Sequence, residues 1–392
     1  MKLSNRKMVT FFMAAFIIVS VWFPADFYHL KQITFFLTIV FGSYQLAKQF
    51  ANRRYLWVYM MGIVFPAMII LQSILRGSSF GAAFSGGYTA TLFFLLILVM
   101  EYDIEYEKYL MFALRVVAYV TVLIVLLDVI GVIDANGDNF IRNFIYQHGI
   151  GLMGKSSAYS SYYKIFIKTS PLLILLLNYS IDKRDIFHVI ICIVALLFGT
   201  RANLFIMLLL LLYKIITLVP KSKNERIIKI AMILSIIFGG GIAGQYIADI
   251  LYRIMNTAGS VSSDAIRAGQ VRGIIEVFER PFQVLFGAGF GNDILFDYGR
   301  NTWVSDFEIS YFALFAKIGI IWFSVFMVFV LLPIFEIKRK SYIPMYIGYL
   351  MICFTNPLLY SSTAFLLYLY VYKIVIEDKE KRKYGINNNP NI

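Results

Sequence analysis

Charge is what this chain has least of. Charged residues fill 15% of its 392 positions, against 60% hydrophobic and 17% aromatic. A soluble domain of that length does not carry such a balance, so a soluble fold is excluded. Cysteine is scarce as well: Cys192 and Cys353 both fall inside apolar runs, imply no disulfide and say nothing of redox compartment. The histidines His29, His148 and His188 stand alone, and only His148 lies in a polar loop where a role in binding is worth testing. No serine or cysteine has a partner base in reach of an evident nucleophile arrangement. Neither an internal repeat nor a low-complexity segment breaks the chain. No cofactor and no metal are expected.

What is present is length of apolar sequence. About twelve apolar segments can be drawn, near 8–24, 32–47, 55–75, 86–100, 109–132, 166–181, 186–199, 202–219, 227–248, 309–335, 342–359 and 363–377. The predicted fold is an all-α polytopic membrane protein of about twelve transmembrane helices, a single integral membrane domain over 1–392. Several segments, notably 86–100 and 186–199, fall short of the ~20 residues of a full span, which calls for tilting or borrowed loop residues. Residues 1–23 have a basic start and an apolar run but no small-x-small cleavage site before Pro24, so they are expected to stay as the first span.

The net charge of +13 lies between the apolar segments and not in one patch. It reads as topogenic charge facing anionic headgroups, and nucleic acid is not expected as a partner. With the N-terminus inside, the clusters Lys2/Arg6/Lys7, Lys48/Arg53/Arg54, Lys183/Arg184, Lys221/Lys223/Arg226/Lys229, Lys338/Arg339/Lys340 and Lys379/Lys381/Arg382/Lys383 all fall in the cytoplasm, with both termini. That holds only if 186–219 is two spans. As one helix this run would be roughly 50 Å long against about 30 Å of hydrocarbon, and it carries one arginine, Arg201, after Gly199-Thr200. A hinge there leaves Arg201 at the outer face, the side that topology rules disfavour for a cation. The acidic connector Glu101–Glu107 falls inside, a blemish of small weight.

Two outer loops then stand out, 133–165 and the longer 249–308, where short turns would suffice. Within the second, 263–280 reads as a helix with a Ser/Asp cap, ended by Pro281. Arg267, Val271, Ile274 and Phe278 share one face by spacing, which turns Arg267 towards the membrane body, either as a snorkelling cation or as an anion ligand. Arg272 lies off that stripe and can pair with Glu276 four residues on. Next, Leu285-Phe-Gly-Ala-Gly-Phe-Gly291 places Gly287, Gly289 and Gly291 where either a tight turn or close approach of a phosphate is allowed. A dinucleotide fingerprint is rejected, because no βαβ unit surrounds it. Ser305-Asp306-Phe307-Glu308 precedes the tenth apolar segment. Asp306 suits a helix cap, and Glu308 faces arginines at a lipid-depth boundary, where function is favoured. A divalent-metal pair Asp306-x-Glu308 is the minority reading, since no further ligand cluster stands near.

The order of these pieces resembles the O-antigen polymerase and O-antigen ligase superfamily of lipid-dependent glycan enzymes. The matching residues are Thr200-Arg201, Arg267 (or Arg272), Leu285–Gly291, Glu308, Gly319-Ile-Ile321 and Asn356-Pro357, while Arg280 with Gly291 fits an arginine–glycine spacing described for some polymerases. A histidine expected in ligases stands as Glu308 here, which favours the polymerase branch. The resemblance implies a glycosyltransferase that moves a growing glycan from undecaprenyl pyrophosphate to a lipid-linked repeat unit on the outer face of a bacterial cell membrane. Arg201 and Arg267 would stabilise the departing pyrophosphate and Glu308 would accept the acceptor's proton. Arg272, Arg280, the three glycines, Asp306 and His148 are the candidate substrate-binding residues. Membrane lipids, a flippase and a chain-length regulator are the implied partners. The alternatives are an O-antigen ligase and a flippase; the latter would be expected to keep its charges in the membrane interior with short loops.

Overall fold

Apolar sequence this long can satisfy its backbone in an apolar medium only as helix or closed barrel, and helices occupy every apolar segment. The computed structural model describes residues 2–25, 28–155, 163–255, 263–291, 295–304 and 306–383. The chain opens with α1 (Lys2–Trp22) and α2 (Leu30–Gln49). Then α3 (Leu56–Tyr59) runs through a π turn at Met60–Val64 into α4 (Phe65–Leu75). After α5 (Phe80–Gly87), a 3-10 stretch leads into α6 (Phe94–Glu101), followed by α7 (Tyr106–Val129). The first long loop holds α8 (Phe140–Gln147) and an antiparallel hairpin of β1 (Gly151–Lys155) and β2 (Tyr163–Ile167). The helices α9 (Leu173–Asp182), α10 (Ile186–Leu197), α11 (Arg201–Thr217) and α12 (Lys223–Met255) come next. The second loop carries α13 (Ser263–Phe278), α14 (Pro281–Phe286) and a hairpin of β3 (Leu295–Asp297) and β4 (Thr302–Val304). The described chain ends with α15 (Ser310–Glu336), α16 (Tyr342–Ile352) and α17 (Ser362–Lys383).

Among the described residues five helical stretches, Asn5–Trp22, Arg53–Leu75, Phe80–Glu101, Tyr106–Val129 and Ser310–Glu336, are long and apolar enough to cross a membrane, and Ser170–Asp182, Ile186–Leu197 and Tyr342–Ile352 are shorter apolar helices. The chain is a predominantly helical, multi-pass membrane protein. Two sequence expectations change. Both long loops contain short β-hairpins, the second where the sequence suggested only a helix and a glycine-rich turn, and α12 runs on to Met255, which shortens the second loop at its start. The predicted break at Gly199-Thr200 is present: Thr200 caps α11, its side chain accepting from the Asn203 N–H at 3.3 Å.

Ion pairs gather the basic connectors at one end of the bundle. Arg6 pairs with Asp103, Arg54 with Glu380 at 2.7 Å, Lys379 with Glu336 at 2.8 Å, and Arg184 with Glu225 at 2.6 Å. The acidic connector loses its anomaly here. Glu101 accepts from Gln45, Gln49 and Tyr55 at 2.7–2.8 Å, and Glu107 accepts from the Tyr370 hydroxyl at 3.2 Å. Buried tyrosines elsewhere donate to carbonyls, Tyr346 to Val330 and Tyr372 to Phe329, both at 2.7 Å, because an unpaired hydroxyl in an apolar interior is costly. Trp57, partly buried, packs on Tyr372 and Phe329 at the edge of the core.

One break in a helix positions the second loop. Inside α15, Gly319 has φ 72° and ψ 171°, a region essentially restricted to glycine. The carbonyls left over by that break accept from the glycine-rich stretch: Ala288 N–H bonds Ala316 O at 2.7 Å, and Gly289 N–H bonds Lys317 O at 2.8 Å. Backbones meet so closely that a Cβ on Gly287 would lie 2.2 Å from Lys317 O, and Gly287 itself has φ 79°. Gly287→Ala is therefore expected to cost at least ~1–3 kcal/mol of backbone strain and to unseat the loop. Reduced yield and a lowered melting temperature in detergent would show it; a variant as stable as the parent would refute it.

Candidate active site

The second loop rests on its own small apolar cluster, Ile274, Val277, Leu295, Phe307, Ala313 and Ala316, separate from the main core. The buried face of α13 is Gln270, Gly273, Ile274 and Val277, while Val271 is exposed. The stripe is thus rotated by about one position from the sequence expectation, because Gly273 admits the Phe296 carbonyl where a Cβ would sit 2.1 Å away. Arg267, three residues before Gln270, still belongs to that face.

The hairpin brings a residue that the sequence reading passed over. Asp297, fully buried, accepts from Gly299 N–H at 2.9 Å and Arg300 N–H at 3.1 Å, closing the turn, and pairs with the Arg300 guanidinium at 3.0 Å. The oxygen that meets the guanidinium, Oδ2, also accepts from Gln270 Nε2 at 2.8 Å, and Gln270 Oε1 in turn accepts from the Glu308 N–H at 3.1 Å. Gln270, also fully buried, therefore stitches α13, the hairpin turn and the approach to α15 together. On this frame Arg267 and Arg300 converge on Glu308, at 3.6 Å and 2.5 Å, with side chains 32%, 40% and 30% exposed respectively. Two guanidinium groups and one carboxylate, half-open to solvent and backed by buried polar groups, make an arrangement chemically suited to holding an anion and exchanging a proton.

Asp306 and Glu308 turn to different partners. Asp306 pairs with Lys317 at 2.8 Å; Lys317 is 7% exposed and also lies 5.5 Å above the Phe290 ring. Neither carboxylate caps α15, whose N-cap is Ile309 without a side-chain bond, so the expected capping role of Asp306 is not the one observed. Among the described residues no group of three or more His, Cys, Asp and Glu stands close enough to hold a metal ion. Ser305 lies outside the described residues.

Arg201, exposed at the first turn of α11, lies at the same end of the bundle as Glu308. Lys214, late in α11, pairs at 2.6 Å with Asp182, next to the Arg184–Glu225 pair of the basic connectors, and late in α15 Glu336 pairs with Lys379 of those connectors; the starts of α11 and α15 therefore both lie away from that end. A Cβ on Gly348 would come 2.6 Å from Ile206, and beyond Gly348 the Asn356 carbonyl accepts from the Ser310 hydroxyl, two residues after Glu308.

The other sequence candidates take more local positions. Arg272 stacks over Tyr298, 4.1 Å from the ring centroid, and Tyr298 donates to Glu276. The expected Arg272–Glu276 pair is thus bridged by an aromatic ring, and the bond to Glu276 holds the phenol above its ordinary pKa. Arg280 is exposed at the α13–α14 junction, and half-buried His148 packs edge-on against Phe144 at 4.6 Å. In the glycine stretch, the amides of Ala288 and Gly289 go to α15, and that of Phe290 goes to the Ser73 hydroxyl at 2.7 Å. These bonds match the tight-turn reading of Gly287 and Gly289; Gly291, half-buried, follows them.

Two signals pointed to the missed residues. Asp297-Tyr-Gly-Arg-Asn has the Asp and Gly spacing of a side-chain-closed turn, and Lys317 is an ionisable residue inside an apolar span, which is a functional candidate by default. Comparison of the chain with protein-family models, with curated proteins and with solved structures gives no match.

Proposed function

We propose that this chain is a glycosyltransferase of the polymerase kind, which joins oligosaccharide units carried on undecaprenyl pyrophosphate at the outer face of a bacterial cell membrane. In this reading the twelve apolar helical segments each span the bilayer, both termini are cytoplasmic, and the loops bearing the two hairpins lie outside. The observation that carries it is the convergence of Arg267 and Arg300 on Glu308, at the end opposite the basic connectors and shared with Arg201.

The chemistry follows from those groups. The acceptor hydroxyl gives its proton to the Glu308 carboxylate as its oxygen bonds to the anomeric carbon of the donor glycan. The bond from that carbon to the pyrophosphate oxygen breaks, and its electron pair leaves on the pyrophosphate. Fixed guanidinium groups stabilise that growing charge best in a partly desolvated site. A lipid pyrophosphate donor needs no nucleotide-binding domain. Lipid-linked units, membrane lipids, a flippase and a chain-length regulator are the partners that such a reaction implies.

The test is reconstitution. Purified protein in lipid, given lipid-linked repeat units, is expected to produce a ladder of longer glycans and free lipid pyrophosphate; single units unchanged after prolonged incubation refute the proposal. Orientation has its own test. Thr302→Cys, exposed in β4 while the native Cys192 and Cys353 are buried, should react with an impermeant maleimide in intact cells. Labelling only after lysis would place the hairpin inside and remove the site from its substrate.

A further inference from the structure

We propose that Arg267 and Arg300 form an anion clamp whose resting occupant is the Glu308 carboxylate, and that a lipid-linked diphosphate displaces this carboxylate on binding. The proposal rests on the reading of the site given above and adds to it a third arginine and an internal competitor.

The frame behind the clamp is buried and hydrogen-bonded, and its front is part-exposed. Arg300 is fixed on one edge by fully buried Asp297, so its Nη2 edge is presented at a set position. Fully buried Gln270 holds Asp297 through one end and the Glu308 backbone N–H through the other. The Glu308 side chain is held by a charge-assisted hydrogen bond from the Arg300 guanidinium at 2.5 Å and by an ion pair with Arg267 at 3.6 Å, which is longer than a hydrogen bond. It can rotate away without moving the backbone that Gln270 holds.

A carboxylate brings one charge to two guanidinium forks, whereas a diphosphate brings two or more and enough oxygens for both. The diphosphate is therefore the better occupant, and Glu308 is the placeholder. Displacement has a consequence for the reaction: the carboxylate is freed from its cations as the substrate arrives, ready to meet the acceptor hydroxyl.

Removing the placeholder should strengthen anion binding even as it removes the base. The test is equilibrium binding of inorganic pyrophosphate to the full chain in lipid nanodiscs at low salt. Glu308→Gln is expected to bind about tenfold or more tighter than the parent, because the internal competitor is gone. Arg300→Gln is expected to bind about tenfold or more weaker, and the double variant should lose the gain. Unchanged or weaker binding by Glu308→Gln overturns the proposal, and so does parental binding by Arg300→Gln. If Glu308→Gln does not fold, Glu308→Asp, one methylene shorter, should give the same sign at smaller size; parental affinity there overturns it as well.

A parallel arm uses discs containing a polyprenyl diphosphate. The same order of variants supports the lipid headgroup as occupant; sensitivity to pyrophosphate alone overturns the lipid as the source. None of these measurements needs turnover, so they stand even if no sugar is transferred. Conversely, a Glu308→Gln variant inactive in transfer but unchanged in pyrophosphate affinity overturns the exchange and leaves the base role in place.

Discussion

Glu308→Gln is expected to stop chain growth, with single repeat units accumulating on lipid and protein levels matching the parent. Glutamine keeps the size and one acceptor oxygen for the Arg300 hydrogen bond but cannot take up a proton. Loss of a general base typically lowers a rate by roughly 10²–10⁴-fold, which on a gel of lipid-linked glycans is the difference between a ladder and one band. The competing explanation is structural, namely that Glu308 only neutralises two arginines. Its side chain is 30% exposed, so losing that ion pair should cost no more than about 1 kcal/mol of stability, too little to empty the membrane of protein. Rate and abundance thus separate the two. A parental ladder from Glu308→Gln would falsify the base assignment and leave the arginines as binding groups only. Loss of activity in both Asp306→Asn and Glu308→Gln, together with sensitivity to chelator, would replace the base with a metal.

How much of this was legible in the sequence differs from element to element. Helices were legible because an apolar segment has few ways to satisfy its backbone, and the break at Gly199-Thr200 was readable from the length of the run, the arginine that interrupts it and the side on which the basic clusters must fall. The hairpins were not: 295–297 and 302–304 are three residues each, too short for an alternating pattern. What fixes them is the Asp297 turn and the packing of Leu295 beneath α13, a contact between residues far apart in the chain. The pairing of Arg267 with Glu308 was suggested by their types and common loop, yet Arg300, which holds the same carboxylate more closely, has no periodicity to mark it. The Gly287 contact with Gly319 shows the same limit. Each glycine was visible, but that one lets a helix break and the other fills the break is a property of their meeting.

Arg267→Lys is expected to abolish or severely reduce polymerisation at normal expression, and Arg201→Lys to do the same. Lysine keeps the charge, so long-range attraction of an anionic substrate survives. What it loses is the planar fork that meets two phosphate oxygens at once. Removing one preorganised donor from a charge-developing site costs roughly 10²–10³-fold in rate, whereas losing charge alone at a surface would be largely screened by salt. The internal control is Arg272→Lys, five residues further along α13. Arg272 lies over Tyr298 at 4.1 Å, so the substitution weakens a stacking contact worth about 0.5–1 kcal/mol at an exposed position and should lower stability slightly while ladders persist. If Arg267→Lys and Arg272→Lys are equally active, the geometry around Glu308 has no part in binding the leaving group. Should Arg267→Lys fail while Arg201→Lys keeps long ladders at normal protein level, the site narrows to the Arg267–Arg300 pair. The common end shared by α11 and Glu308 would then be architecture and not chemistry.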